Sequence, residues 1–182
     1  MKALFFLLVF LVATGPPANA QQSPPTLTII PTGFPDDVFK EAYIELGGAK
    51  HFHVLLTNNS DYSIKLFQEW NSWGYYGLSF EITYPDGRRV VSAKGPRGWD
   101  KNFPSTITVA PHGHHVFEVN FFNNPTVIPF WQHSVLNEPL TKDGLPCRIR
   151  AIYSIEPSKA SDEQQVWTGT ISSQENAYVI WH

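Results

Sequence analysis

The sequence predicts an all-β protein: a two-sheet antiparallel β-sandwich of about eight to ten short strands, with little or no helix. Three observations carry that reading. From Tyr76 to Tyr84 every second residue is apolar (Tyr76, Leu78, Phe80, Ile82, Tyr84), and the residues between are small or polar, the period of a strand with one buried face. Comparable short runs recur along the chain between Gly-, Pro- and Asn-rich breaks. No stretch carries apolar residues at helical spacing. A closed barrel is the competing architecture.

Residues 1–20 read as a secretory leader. Lys2 is the positive start, Ala3 to Ala13 the apolar core, and Ala18-Asn19-Ala20 fits the small-x-small cleavage rule. The apolar run is about half the ~20 residues a membrane-spanning helix needs. Export to a periplasm or the outside, as a soluble chain, is the expectation. Residues 21–37 hold Pro24, Pro25, Pro31 and Pro35 around Thr26 to Ile30, an extended arm with at most an edge strand. Residues 38–182 form the sandwich domain.

Within that domain Val38 to Leu46 is read as a strand closed by Gly47-Gly48. In His51 to Thr57, Phe52, Val54 and Leu56 point inward, and Asn58 to Asp61 is a turn. Tyr62, Ile64 and Leu66 form the next inward row, and Trp70 to Tyr75 is a loop. Pro85-Asp86-Gly87 turns the central strand back into Arg88 to Ala93. Lys94 to Pro104 is a long loop with Trp99 and Phe103, and Ser105 to Val109 is a strand turned by Pro111-His112-Gly113. Phe117, Val119 and Phe121 are inward. Asn123 to Pro146 lacks periodicity, with room for a helical turn near Gln132 to Leu136. Arg148 to Ile155 alternates, Glu156 to Gln165 is polar and exposed, and Val166 to Ile171 and Ala177 to Trp181 are the last strands, with a kink at Ser172 to Glu175.

The segments Val54-Leu55-Leu56-Thr57-Asn58-Asn59-Ser60, Glu81-Ile82-Thr83-Tyr84-Pro85-Asp86-Gly87 and Val166-Trp167-Thr168-Gly169-Thr170-Ile171-Ser172 together resemble immunoglobulin-like or fibronectin-like modules of exported bacterial proteins. The resemblance implies a sandwich and carries no function by itself. A fainter likeness is to bacterial proteinase-inhibitor sandwiches, with no inhibitory loop assignable by motif. Cys147 is the only cysteine, so the paired cysteines of antibody domains are missing and no intrachain disulfide can form.

If successive strands reverse, the three longest aromatic loops converge at one end. Trp70, Trp73, Tyr75, Trp99, Phe103, Phe130 and Trp131 then meet there. Trp73, Tyr75, Trp99, Phe103 and Trp131 are the candidate binding residues, aromatic platforms for a sugar ring or a partner protein's side chains. Arg97, Asp100, Lys101 and Asn102 would add polar contacts. The same rings could instead turn inward and plug the end of the sandwich.

Other chemistry is sparse. His51-x-His53 has a spacing used in zinc and copper sites, and His112, His114 and His115 crowd a turn, but reversal of the strands sets the groups about 20 Å apart. Gly77-Leu78-Ser79-Phe80-Glu81 lacks the second glycine of a nucleophile elbow. Cys147, at a strand start, reads as a small core residue. Asp36-Asp37 and Asp162-Glu163 read as solvated charge, and Asn58-Asn59-Ser60, though a glycosylation pattern, as a turn. A net charge of −3 gives no general attraction for nucleic acid or anionic lipid, and Arg88-Arg89 with Lys94 and Arg97 is too small a basic patch. The reading is a non-enzymatic binding module for a protein or glycan, without cofactor or membrane span. A His-based metal carrier is the alternative.

Overall fold

The computed structural model describes residues 23–37, 40–45, 51–121, 131–132 and 142–181. They form strands β1 (Thr26–Ile30), β2 (Tyr43–Glu45), β3 (Phe52–Thr57), β4 (Ile64–Phe67), β5 (Leu78–Thr83), β6 (Arg89–Lys94), β7 (Thr106–Val109), β8 (His114–Val119), β9 (Trp131–Gln132), β10 (Leu145–Ile155), β11 (Gly169–Ser172) and β12 (Asn176–Trp181). Two short helices, α1 (Ser72–Tyr75) and α2 (Lys159–Gln164), complete them. The protein is all-β. No helix among the described residues is long and apolar enough to cross a membrane. The leader assigned to residues 1–20 lies outside the described residues.

The strands make three sheets. One has the order β1-β3-β8, a second runs β2-β12-β10-β5-β6-β9 with β11 also on β10, and β4 pairs with β7. Alternation explains which faces are covered. Leu27 and Ile29 of β1, Phe52, Val54 and Leu56 of β3, and Phe117 and Val119 of β8 are buried. They face the buried residues of the large sheet: the Phe52 and Phe80 rings are 5.5 Å apart, edge to face, and Phe117 lies 5.3 Å from Tyr153. Full burial of each such ring contributes roughly 1.5–3 kcal/mol.

β10 is the backbone of the large sheet. One edge pairs with β5 from Arg148↔Thr83 to Tyr153↔Leu78. The other is divided between β12 and β11. At the division Ser173 N–H donates to the Ala151 carbonyl (2.8 Å) and Ala151 N–H donates to Ser173 Oγ (2.9 Å), so the kink expected at 172–175 is bridged by a side chain. The central hairpin closes as expected: Gly87, at φ 85°, donates to the Tyr84 carbonyl, a conformation glycine adopts without a Cβ penalty.

Several expectations are corrected. The pairing of β2 with β12 is parallel, so the strands are not all antiparallel. Tyr62 and Tyr76, placed on inward rows, are 60% and 48% exposed, because Tyr62 precedes β4 and Tyr76 caps α1. Val166 and Trp167 precede β11, where Trp167 N–H donates to the Lys65 carbonyl. The stretch 70–75 contains α1, and 156–165 contains α2. α2 begins with a capping box in which Ser158 Oγ accepts from Ser161 N–H (3.1 Å) and Ser161 Oγ from Ser158 N–H (2.7 Å), satisfying two donors a helix start leaves open. The expected helical turn at 132–136 begins with Gln132, which is in β9; the rest lies outside the described residues.

Candidate functional site: an aromatic groove at one end of the large sheet

The register of the central hairpin decides which loops meet. Ser79 pairs with Ala93, so the segment entering β5 and the loop leaving β6 emerge side by side. Lys94↔Trp131 brings β9 to the same end. Side chains then fasten the two loops together. Asn102 Oδ1 accepts from Ser72 N–H (2.9 Å) and Asn102 Nδ2 donates to Ser72 Oγ (2.8 Å). Gln68 N–H donates to the Ser105 carbonyl (3.0 Å), and Asn71 Nδ2 donates to the same oxygen (3.1 Å). The buried Asn71 also caps α1, its Oδ1 accepting from Trp73 and Gly74 N–H, a role typical of Asn. Gly74 admits no side chain, since a Cβ would stand 2.4 Å from the Gln68 carbonyl oxygen.

The predicted aromatic residues do gather here, but they divide into a floor and a rim. Trp131, 0% exposed, and Tyr75 are buried. Neither can be the open platform expected of it, because core rings and the ion pair of Lys94 cover them. Trp131 packs edge to face on Phe80 and Phe121. Lys94 Nζ lies 5.1 Å from the Tyr75 ring centre and 5.7 Å from that of Trp131. This buried ammonium is paired with Glu69, which offsets the cost of removing it from water. Trp73 is half-buried against Phe67. Burial pushes the Tyr75 hydroxyl up, Tyr76 adds to this, and Arg97 opposes it.

The rim is open. Phe103 is 56% exposed and Trp70 38%, their rings packed edge to face at 4.9 Å. Trp99 is half-buried and stands edge to face on Tyr75 at 5.4 Å. The Arg97 guanidinium sits 4.7 Å over the Trp99 ring, a cation–π contact. Trp70, Arg97, Trp99, Asp100, Lys101 and Phe103 line a groove of about 360 Å³, within the lower range of small-ligand pockets. The side chains of Arg97, Asp100 and Lys101 make no ion pair or hydrogen bond among the described residues. The sequence places Trp70 at this end and Arg97 among its polar contacts; the Lys94–Glu69 pair is the addition the structure makes. Phe130 lies outside the described residues.

The histidines are held apart by the β3–β8 pairing. His53↔Glu118 and Thr57↔His114 are opposed, so His53 and His114 stand roughly 13 Å apart along the strands. His51 is paired with Glu118 through Nδ1, His112 Nε2 with Asp61 Oδ1 at 3.0 Å, and His114 Nδ1 shares a hydrogen bond with Thr57 Oγ1 at 3.0 Å. His115 packs on Phe117, and burial holds its imidazole below the ordinary value while Glu69 opposes this. Among the described residues no three His, Cys, Asp or Glu side chains are gathered to hold a metal ion.

A second hollow, about 280 Å³, is lined by Glu41, Thr83, Tyr84, Pro146, Cys147 and Arg148 among others. Cys147 is buried, and burial pushes its thiol up to about 12 with Glu41 adding to the effect. The nucleophilic thiolate is therefore not populated near neutral pH.

No protein-family model matches the sequence, and no curated protein or solved structure is detectably similar to it.

Proposed function

We propose that this protein is an exported, non-catalytic binding module of two-layer, immunoglobulin-like architecture. It grips a partner protein's side chains or a glycan in the groove between Trp70, Trp99 and Phe103. One observation carries the proposal: a concave aromatic rim, fastened by hydrogen bonds at Ser72–Asn102 and Gln68–Ser105, whose nearby charges have no partner among the described residues. Large rings are normally turned inward, and Trp and Arg are among the residues that binding hot spots favour. The facing buried surfaces of the β1-β3-β8 sheet and the large sheet support the two-layer reading, and the residue 1–20 pattern supports export.

The test is a binding screen of the mature chain against immobilised oligosaccharides and peptides, repeated with Trp99→Ala and Phe103→Ala. Binding should fall at least about tenfold in each variant, with cooperative unfolding retained. Equal binding by both variants overturns the proposal.

A further inference from the structure

Resting on the groove as a binding site, we infer that its occupant is an acidic saccharide, a sugar bearing a carboxylate such as a uronic acid. Three features of the rim converge on that chemistry. Trp70, Trp99 and Phe103 line the groove, and aromatic rings pack against the apolar C–H surfaces of a pyranose. Arg97 lies over Trp99 in a cation–π contact, and its planar fork of donors has no acceptor among the described residues; a guanidinium pairs best with a carboxylate through two parallel hydrogen bonds. Lys101 adds a second cation on the same loop.

The deciding feature is Asp100. It lines the same groove, between the two cations in sequence, and is not neutralised by either within ion-pair distance. A carboxylate accepts hydrogen bonds and donates none. A ligand that is only an anion would be repelled by it, and the ionised side chains of an acidic peptide bring no donor to meet it. An acidic sugar satisfies all three groups, because its carboxylate meets Arg97 and Lys101 while its hydroxyls donate to Asp100. The chain as a whole carries a net charge of −3, so the local cations give direction to an anionic ligand that the overall charge does not.

The experiment titrates the mature chain, by calorimetry and tryptophan fluorescence, with uronic-acid oligosaccharides of several linkages. Their carboxyl-reduced neutral counterparts and a glutamate-rich peptide run in parallel. The acidic sugars should bind at least about tenfold more tightly than the neutral ones, in line with a charged hydrogen-bonded pair, and weaken with added salt. Arg97→Ala should remove the preference, and Arg97→Lys should restore it in part. Asp100→Ala should weaken the acidic sugar several-fold, although it deletes a negative charge.

Tighter binding in Asp100→Ala would show that a bare anion is recognised and overturn the inference. Equal affinity for neutral and acidic sugars, or capture of the peptide alone, would overturn it while leaving the groove as a binding site. Silence of the whole panel would overturn the inference, and the broader screen with Trp99→Ala and Phe103→Ala decides the groove itself.

Discussion

The groove and the Cys147 hollow are similar in volume and both have an arginine on the wall, yet they are opposite in character. Around the hollow, Arg148 Nε donates to Glu175 Oε2 at 2.9 Å, and Glu175 Oε1 accepts from Thr83 Oγ1 at 3.1 Å. Around the groove, Arg97 rests on an indole and has no acceptor among the described residues. A concave shape alone therefore says little. What separates the two walls is the arginine: Arg148 already has its carboxylate, and Arg97 has only a ring beneath it.

The harshest way to break this contrast is to attack the floor that holds the groove open. Trp131→Ala should cost about 3–5 kcal/mol in denaturant unfolding, as expected for a buried Trp. Phe103→Ala, on the rim, should cost less than about 1 kcal/mol. Similar losses would mean that floor and rim are one core, and the groove would lose its separate standing.

The hollow makes its own prediction through pH. With the Cys147 thiol raised from 9.0 to about 12 in the folded chain, the unfolded state releases this proton first. Above about pH 9 the folded state holds more protons, so stability falls as pH rises, by up to ~1.4 kcal/mol per unit from this group. The contribution is fully present below pH 9 and lost by about pH 12. Cys147→Ala should flatten that part of the profile, measured by urea midpoints from pH 8 to 11. An unchanged slope would show that the hollow is wet enough to ionise the thiol.

The gentlest comparison sets one arginine environment against the other. Glu175→Ala should destabilise by about 1 kcal/mol, since it removes a half-exposed ion pair and leaves Thr83 Oγ1 without its acceptor. Arg97→Ala should change stability by no more than about 0.5 kcal/mol. A larger cost for Arg97→Ala would mean that its stacking on Trp99 is structural.

The strands were legible where one face is buried and the other wet, because that asymmetry writes itself as alternation. Phe52-Val54-Leu56 and Leu78-Phe80-Ile82 are the clear cases. β6 was less so, since its inward positions include Ser92 and Lys94, and the reason Lys94 can be inside, its Glu69 partner, is 25 residues away in sequence. α1 hid because Ser-Trp-Gly-Tyr has poor helix propensity and is held by the Asn71 cap and by loop contacts. α2 hid because its capping box uses Ser161 in place of the usual Glu or Gln. The meeting of the aromatic loops followed from strand reversal alone. Which rings would face outward did not, because Trp and Tyr suit a core and a binding surface equally, and the neighbours that cover Trp131 arrive from β5 and from Phe121.

The clasp formed by Ser72 with Asn102 and by Gln68 with Ser105 bears on speed as well as shape. Loops left loose must be arranged at the moment of encounter, and each immobilised side chain then subtracts from affinity. Here the two loops are tied before any visitor arrives. Capture should therefore proceed at the rate of productive collision, without a slow rearrangement step, and the lifetime of the complex should set its strength.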